Sequence, residues 1–191
     1  MLIVHVVSPH SSIKVGPETL LQRRLRLTKA AYPHATVALC KSEYPLAELV
    51  ADSVRRHPGT PTLVFSPGAL FDSGFLGRLR LDKSFVTASE GEVGVGVNVD
   101  NGIATQFTYY SKVKLNGLLF LRSDAANHFQ RLSSPNLFMH EVLNQMVELD
   151  LSEFTVVRSN NVVEVRSPVD LHRSSSMGIS LVLNLAKLAN V

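Results

Sequence analysis

Thiol chemistry is almost absent from this chain. Of its 191 residues, one is a cysteine, Cys40. No disulfide can close within the chain, which fits a reducing compartment. Cys40 ends the apolar run Val37-Ala38-Leu39-Cys40 and reads as a buried small hydrophobe. Long apolar runs are lacking as well. The stretch from Ile179 to Leu188 is interrupted by Asn184 and Lys187, and a membrane span needs about twenty residues. Met1 to Val7 lacks a basic leader and is too short for a signal core, so it reads as a first strand. A cytoplasmic protein with no membrane partner is expected. Charge of either sign is scarce: 18% of residues are charged and the net charge is +3. The densest basic run, Arg23, Arg24, Arg26 and Lys29, has no aromatic interleaving and reads as a solvated helix face, which argues against a nucleic-acid partner. No Ser-centred nucleophile elbow is present. His140-Glu141 is followed three residues on by Asn144 where a zinc-binding helix would place histidine, and no histidine pairs with a cysteine at ligand spacing. No protein metal site is expected.

The chain is 45% hydrophobic, enough to bury a core, and its length suits one domain over residues 1–191. Leu2 to Val7 is a continuous apolar run, as in a central parallel strand. Leu20, Leu21, Leu25, Leu27 and Ala31 recur at helical spacing, with Pro17 near the helix start. Ala35 to Cys40 predicts a second strand. Pro45 opens a second helix carrying Leu46, Leu49, Val50 and Val54, closed by His57-Pro58-Gly59, and Leu63 to Phe65 predicts a third strand. This alternation implies a parallel sheet with right-handed crossovers. Further on, Ser84–Ala88 and Val93–Val99 alternate like strands, and Asp100-Asn101-Gly102 signals a hairpin into Ile103–Tyr110. Leu118–Leu121 is another apolar run. Asp124–Leu132 and Phe138–Leu149 predict helices, Phe154–Val157 and Val162–Val165 late strands, and 168–191 a closing helix. The glycines of Gly91-Glu92-Val93-Gly94-Val95-Gly96 sit on a strand, which favours packing or a bulge over phosphate binding.

Three stretches carry a resemblance. They are Gly16-Pro17-Glu18-Thr19-Leu20-Leu21, Asn116-Gly117-Leu118-Leu119-Phe120, and Val163-Glu164-Val165-Arg166-Ser167-Pro168-Val169-Asp170-Leu171. In order and spacing they resemble the sugar-phosphate and phosphocholine nucleotidyltransferases, the phosphocholine cytidylyltransferase branch above all. The resemblance implies an α/β domain of three layers, Rossmann-like, with a mostly parallel sheet and an antiparallel insertion. It also implies a nucleotide or nucleotide-conjugate ligand at the strand ends, with Asn116 and Gly117 lining the acceptor side.

The departures fall on that family's chemistry. Its first strand leads into a Gly-rich loop whose amides cradle phosphates. Here Ser8 to Val15 contains no glycine, and Ser8, His10, Ser11, Ser12 and Lys14 are its polar groups. The family's aspartates for Mg²⁺ stand at two strand ends. Here those ends offer Ser66-Pro67-Gly68 and Arg166, with Asp72 displaced further along. An arginine repels a divalent cation but can pair directly with a phosphate through its planar fork. The ligand-binding candidates are therefore Ser8, His10, Ser11, Ser12, Ser66, Gly68, Asn116 and Gly117, and Ser8, His10, Ser66, Gly68 and Arg166 are expected to converge on one opening. Asp170 reads as a helix-start residue. Tyr109-Tyr110 reads as a hairpin edge on the core. Two functions stay open. One is a degenerate nucleotidyltransferase-like protein that binds a ligand, regulates or assembles without Mg²⁺, with a homo-oligomeric or protein partner left open. The other is an active transferase using Lys14 and Arg166 as electrostatic stabilisers, with Mg²⁺ as cofactor only in that case. Fold likeness alone does not carry activity.

Overall fold

The computed structural model describes residues 1–41, 47–92, 94–159, 161–168 and 170–171. In chain order it runs β1 (Leu2–Val7), a 3-10 turn (Pro9–Ser12), β2 (Lys14–Val15), β3 (Glu18–Thr19), α1 (Leu20–Ala31), β4 (Thr36–Lys41), α2 (Ala47–Arg55), β5 (Thr62–Phe65) and β6 (Ala69–Phe71). A second 3-10 turn (Leu76–Arg78) leads to β7 (Phe85–Glu90), β8 (Gly96–Asp100), β9 (Ile103–Thr108) and β10 (Val113–Leu121). Then come α3 (Ser123–Leu132), α4 (Met139–Glu148), β11 (Thr155–Arg158) and β12 (Val162–Glu164).

Eight strands form a mixed sheet in the order β4-β1-β5-β10-β7-β11-β9-β8. β4, β1 and β5 are parallel, β10 runs antiparallel to β5 and β7, and β11 is parallel to β7. The chain leaves β1 for β4 on one side and then crosses to β5 on the other. That reversal opens a crevice at the carboxyl ends of β1 and β5, where ligands bind in open α/β sheets.

Strand alternation sends one set of side chains to each face. Leu2, Val4, Val6, Val64, Leu119 and Leu121 pack with Val50 and Val54 of α2, Phe129 of α3 and Leu143 and Met146 of α4. Ile3, Leu63, Phe65, Leu118 and Phe120 pack on the other face with Leu27 of α1. Both faces are covered, which is why these strands read as unbroken apolar runs. The Asn101-Gly102 hairpin forms as expected: both residues have positive φ, 49° and 82°, and Asp100 pairs with Ile103. Cys40 is buried, its thiol donating to the Leu49 carbonyl at 3.3 Å.

Several expectations need correction. Pro17 does not open a helix. Gly16 (φ 67°) and Pro17 are the two loop residues of the β2–β3 hairpin, and α1 starts at Leu20 under a capping box of Thr19 and Gln22. The basic run is not all solvated: Arg24 is 1% exposed, while Arg23 and Arg26 pair with Glu18. β6 was not anticipated; it forms a separate two-stranded sheet with β12. Tyr109 and Tyr110 are 58% and 96% exposed, so neither packs on the core as expected, because the strand ends at Thr108. Pro45, Leu46 and nearly all of the expected closing helix lie outside the described residues. Among the described residues, no helix is long and apolar enough to cross a membrane.

Candidate functional site

A cavity of about 300 Å³ opens at the carboxyl ends of β1 and β5. Val6, Ser8 and His10 come from the end of β1, and Val64, Ser66 and Pro67 from the end of β5. Gly117, Leu118 and Leu119 of β10 continue the wall, α4 contributes Met139, His140 and Leu143, and β12 and its exit contribute Glu164 and Arg166.

Glu164 is the residue the sequence reading passed over. β12 pairs antiparallel with β6, Glu164 opposite Ala69, and its alternation sends Val163 and Val165 to a small core with Val15, Leu20 and Leu70. Glu164 and Arg166, two apart, therefore share the cavity side. The period-two pattern Val-Glu-Val-Arg carried that signal. The two strand ends thus do not lack a carboxyl group as expected. Glu164 Oε2 accepts the Ser66 hydroxyl, and Oε1 accepts the Gly68 amide at 3.2 Å. Burial pushes its pKa up; the Ser66 hydroxyl, Arg166, the Gly68 amide and Arg24 oppose that rise.

Arg24 lies behind this carboxyl group. Its guanidinium donates to the Ser66 carbonyl, to the Val6 carbonyl at 3.2 Å and to Ser11 Oγ at 3.2 Å. One side chain thereby ties the ends of β1 and β5 to the loop between β1 and β2. Burial lowers its pKa to about 10, with Glu164 opposing, so it stays charged at neutral pH. Its position was legible: Leu20, Arg24, Leu27, Thr28 and Ala31 form one helical stripe, and Arg24 interrupts it.

The other candidates divide. Ser8, His10, Ser66, Gly117 and Arg166 meet at the cavity. Gly68 contributes through its amide to Glu164, and a side chain there would strike the Val165 backbone. Ser11 Oγ reaches across to donate to Pro67 O after β5 at 3.1 Å, while Ser12 Oγ turns back to donate to Pro9 O at 2.6 Å. Ser8 caps the 3-10 turn, its oxygen accepting the His10 amide at 3.2 Å. A capped turn, its serines bound to its own backbone and to the Pro67 carbonyl at the end of β5, stands where the resemblance would place a glycine loop. Lys14 is exposed on the β2–β3 hairpin and does not line the cavity. Asn116 does not line this cavity. It sits within β10 at a register shift, 3% exposed, its amide donating to Ser159 O at 3.1 Å and Val162 O at 3.0 Å. Asp72 is bound to Arg78 and the Gly74 amide. Asp170 accepts the Arg166 and Ser167 amides at 2.9 and 2.8 Å, the helix-start role expected of it.

Gly117 is where backbone geometry shapes the cavity. It has φ 117°, and its carbonyl accepts the Ser66 amide at 2.8 Å. A Cβ there would sit 2.9 Å from Ala69 Cβ and 3.0 Å from Glu164 Oε2. Gly117→Ala is expected to cost about 3 kcal/mol from the disallowed φ and the clash. A urea titration checks this; a change near zero would mean that β10 rearranges freely here.

No family model and no curated protein sequence matches the chain. Solved structures do. A protein assigned as glucose-1-phosphate thymidylyltransferase from Bacillus anthracis, solved with sucrose, superposes with a TM-score of 0.68 at 10% identity, over 94% of each chain. The inositol-1-phosphate CTP transferase of T. maritima gives 0.68 at 12% identity, over 93% of this chain and 95% of that one. HddC of Yersinia pseudotuberculosis gives 0.64 at 8% identity, over 92% and 98%. The fold is that of the nucleotidyltransferases. At these identities the likeness extends to the fold alone. In this nucleotidyltransferase fold the side chains at the strand ends are Ser66, Glu164 and Arg166, with Arg24 beneath them.

Proposed function

We propose that this chain, a three-layer Rossmann-like domain of the nucleotidyltransferase fold, is a ligand-binding module that does not carry out Mg²⁺-dependent nucleotidyl transfer. One observation carries the reading: the state of Glu164. Mg²⁺ takes hard oxygen ligands in near-octahedral geometry, usually one or two free carboxylates plus substrate phosphates. Both Glu164 oxygens are already held, by the Ser66 hydroxyl and the Gly68 amide. Burial raises its pKa, and the cations Arg166 and Arg24, which oppose that rise, stand close enough to act on it. Among the described residues no three acidic, histidine or cysteine side chains group as a metal site. These residues do not fit the ion. Phosphoryl chemistry depends on positioning and charge neutralisation, and the capped turn after β1 supplies no amide cradle to replace it. We extend the proposal to a regulatory or assembly role in the cytoplasm, alone or with a protein partner.

The alternative is an active transferase using Lys14 and Arg166. Only the placement of Arg166 on the cavity supports it. The test is pyrophosphate release from CTP, UTP and dTTP with sugar phosphates or phosphocholine and Mg²⁺. No release above the protein-free blank is expected. Release that Glu164→Gln abolishes would overturn the proposal.

A further inference from the structure

The cavity is chemically uneven. Val6, Val64, Val86 and Leu119 of the sheet face Val50 and Leu143 of the helices. Ser66 and Glu164 are hydrogen-bonded to each other, Arg166 stands two residues beyond Glu164, and Ser8, His10 and His140 are the other polar residues of the lining. A nucleobase or ribose laid between these valines and leucines would give up water from its ring nitrogens, carbonyls and hydroxyls and find no hydrogen-bond partner in their side chains. Hydrocarbon placed there loses nothing and leaves water.

The polar lining has a sign. Among the described residues its one lining carboxyl group, Glu164, is engaged by Ser66 and Gly68. Arg24 is committed to the backbone behind it. Arg166 is exposed at the rim, its guanidinium lying over Gly94, where a Cβ would come within 2.5 Å of Nη2. A planar guanidinium in that position suits a carboxylate or phosphate. On α4, His140 lines the cavity and carries an apolar lip: the Tyr109 ring meets it edge-on at 5.2 Å and Phe138 stacks on it at 5.9 Å. Burial lowers the pKa of His140, with Glu141 opposing.

We infer that the cavity takes an amphipathic anion: an aliphatic or aromatic body seated between the sheet and α4, with one carboxylate or phosphate head on Arg166. This rests on the reading of the cleft as a ligand site, and it departs from a nucleotide as the occupant.

The full chain is titrated calorimetrically with decanoate, decyl phosphate, decanol, decyltrimethylammonium and CTP. Saturable one-to-one binding of decanoate or decyl phosphate is expected, and the better of the two identifies the head group. Arg166→Ala should weaken that anion about tenfold, the scale of one charge-assisted hydrogen bond, and leave decanol within about twofold. Because Arg166 is exposed, its loss reads on binding and not on folding. Leu143→Trp, which fills the apolar part, should abolish binding of both anion and alcohol while the circular dichroism spectrum is kept. Decyltrimethylammonium binding as tightly as decanoate overturns the inference, as does an anion affinity that Arg166→Ala leaves unchanged. CTP binding without any amphiphile binding overturns it too, yet leaves the ligand-site reading standing. Binding of none of the five overturns both.

Discussion

Arg24→Ala is expected to destabilise the folded chain by about 3–5 kcal/mol, the scale of removing one partner from a buried charged network. The side chain is 1% exposed and supplies donors to three acceptors on two strand ends and a loop: Ser66 O, Val6 O and Ser11 Oγ. Truncation removes this donor from the buried Val6 carbonyl and the half-buried Ser66 carbonyl and opens a void beneath the cavity. Arg24→Met keeps the aliphatic stem and should recover the packing part of the loss without the hydrogen bonds. Urea denaturation of the three proteins separates those parts. A loss below about 1 kcal/mol for Arg24→Ala would place it with ordinary surface substitutions and remove it as the clamp between β1 and β5.

The second large effect is acid sensitivity at His5. This histidine is fully buried on β1, its ring stacked on Phe65 at 4.9 Å and 3.4 Å from the Thr28 hydroxyl. Burial, and then the charge of Arg24, lower its pKa from 6.5 to about 3. The folded chain thus refuses a proton that the unfolded chain accepts. The contribution is therefore complete above about pH 6.5 and is lost as pH falls from there toward about 3. At 1.36 kcal/mol per pKa unit the loss approaches about 4–5 kcal/mol. His5→Leu should remove this slope. It orphans nothing, because the Thr28 hydroxyl already donates to the Arg24 carbonyl at 2.8 Å. Unfolding free energies between pH 7 and pH 4 for wild type and variant give the comparison, and parallel curves would refute it. The two predictions are linked: Arg24→Ala removes one cause of the lowered pKa, so His5 should titrate nearer its ordinary range in that variant.

Most of the scaffold was legible because it follows local periodicity. The apolar run Leu2–Val7 sits between two parallel partners, and the Asn101-Gly102 turn closes the hairpin it signals. α3 and α4 fall within a residue of their expected spans. What was missed depended on contacts between distant segments. Pairing of β6 with β12 turns Glu164 into the cleft. Arg24, by contrast, was marked by the local stripe of α1, but its run of basic residues, counted as composition, looked solvated.

The sequence by itself determined the alternation of strands and helices, the absence of a glycine loop after β1 and the lack of aspartate at the ends of β5 and β12. These are statements about neighbours along the chain, where hydrophobic period and backbone preference act. Only the tertiary structure decided that Ser66, Gly68 and Glu164 form one hydrogen-bonded group and that a buried arginine anchors the strand ends beside it. Residues about a hundred positions apart meet there, and a carboxyl group's charge state depends on what surrounds it in space.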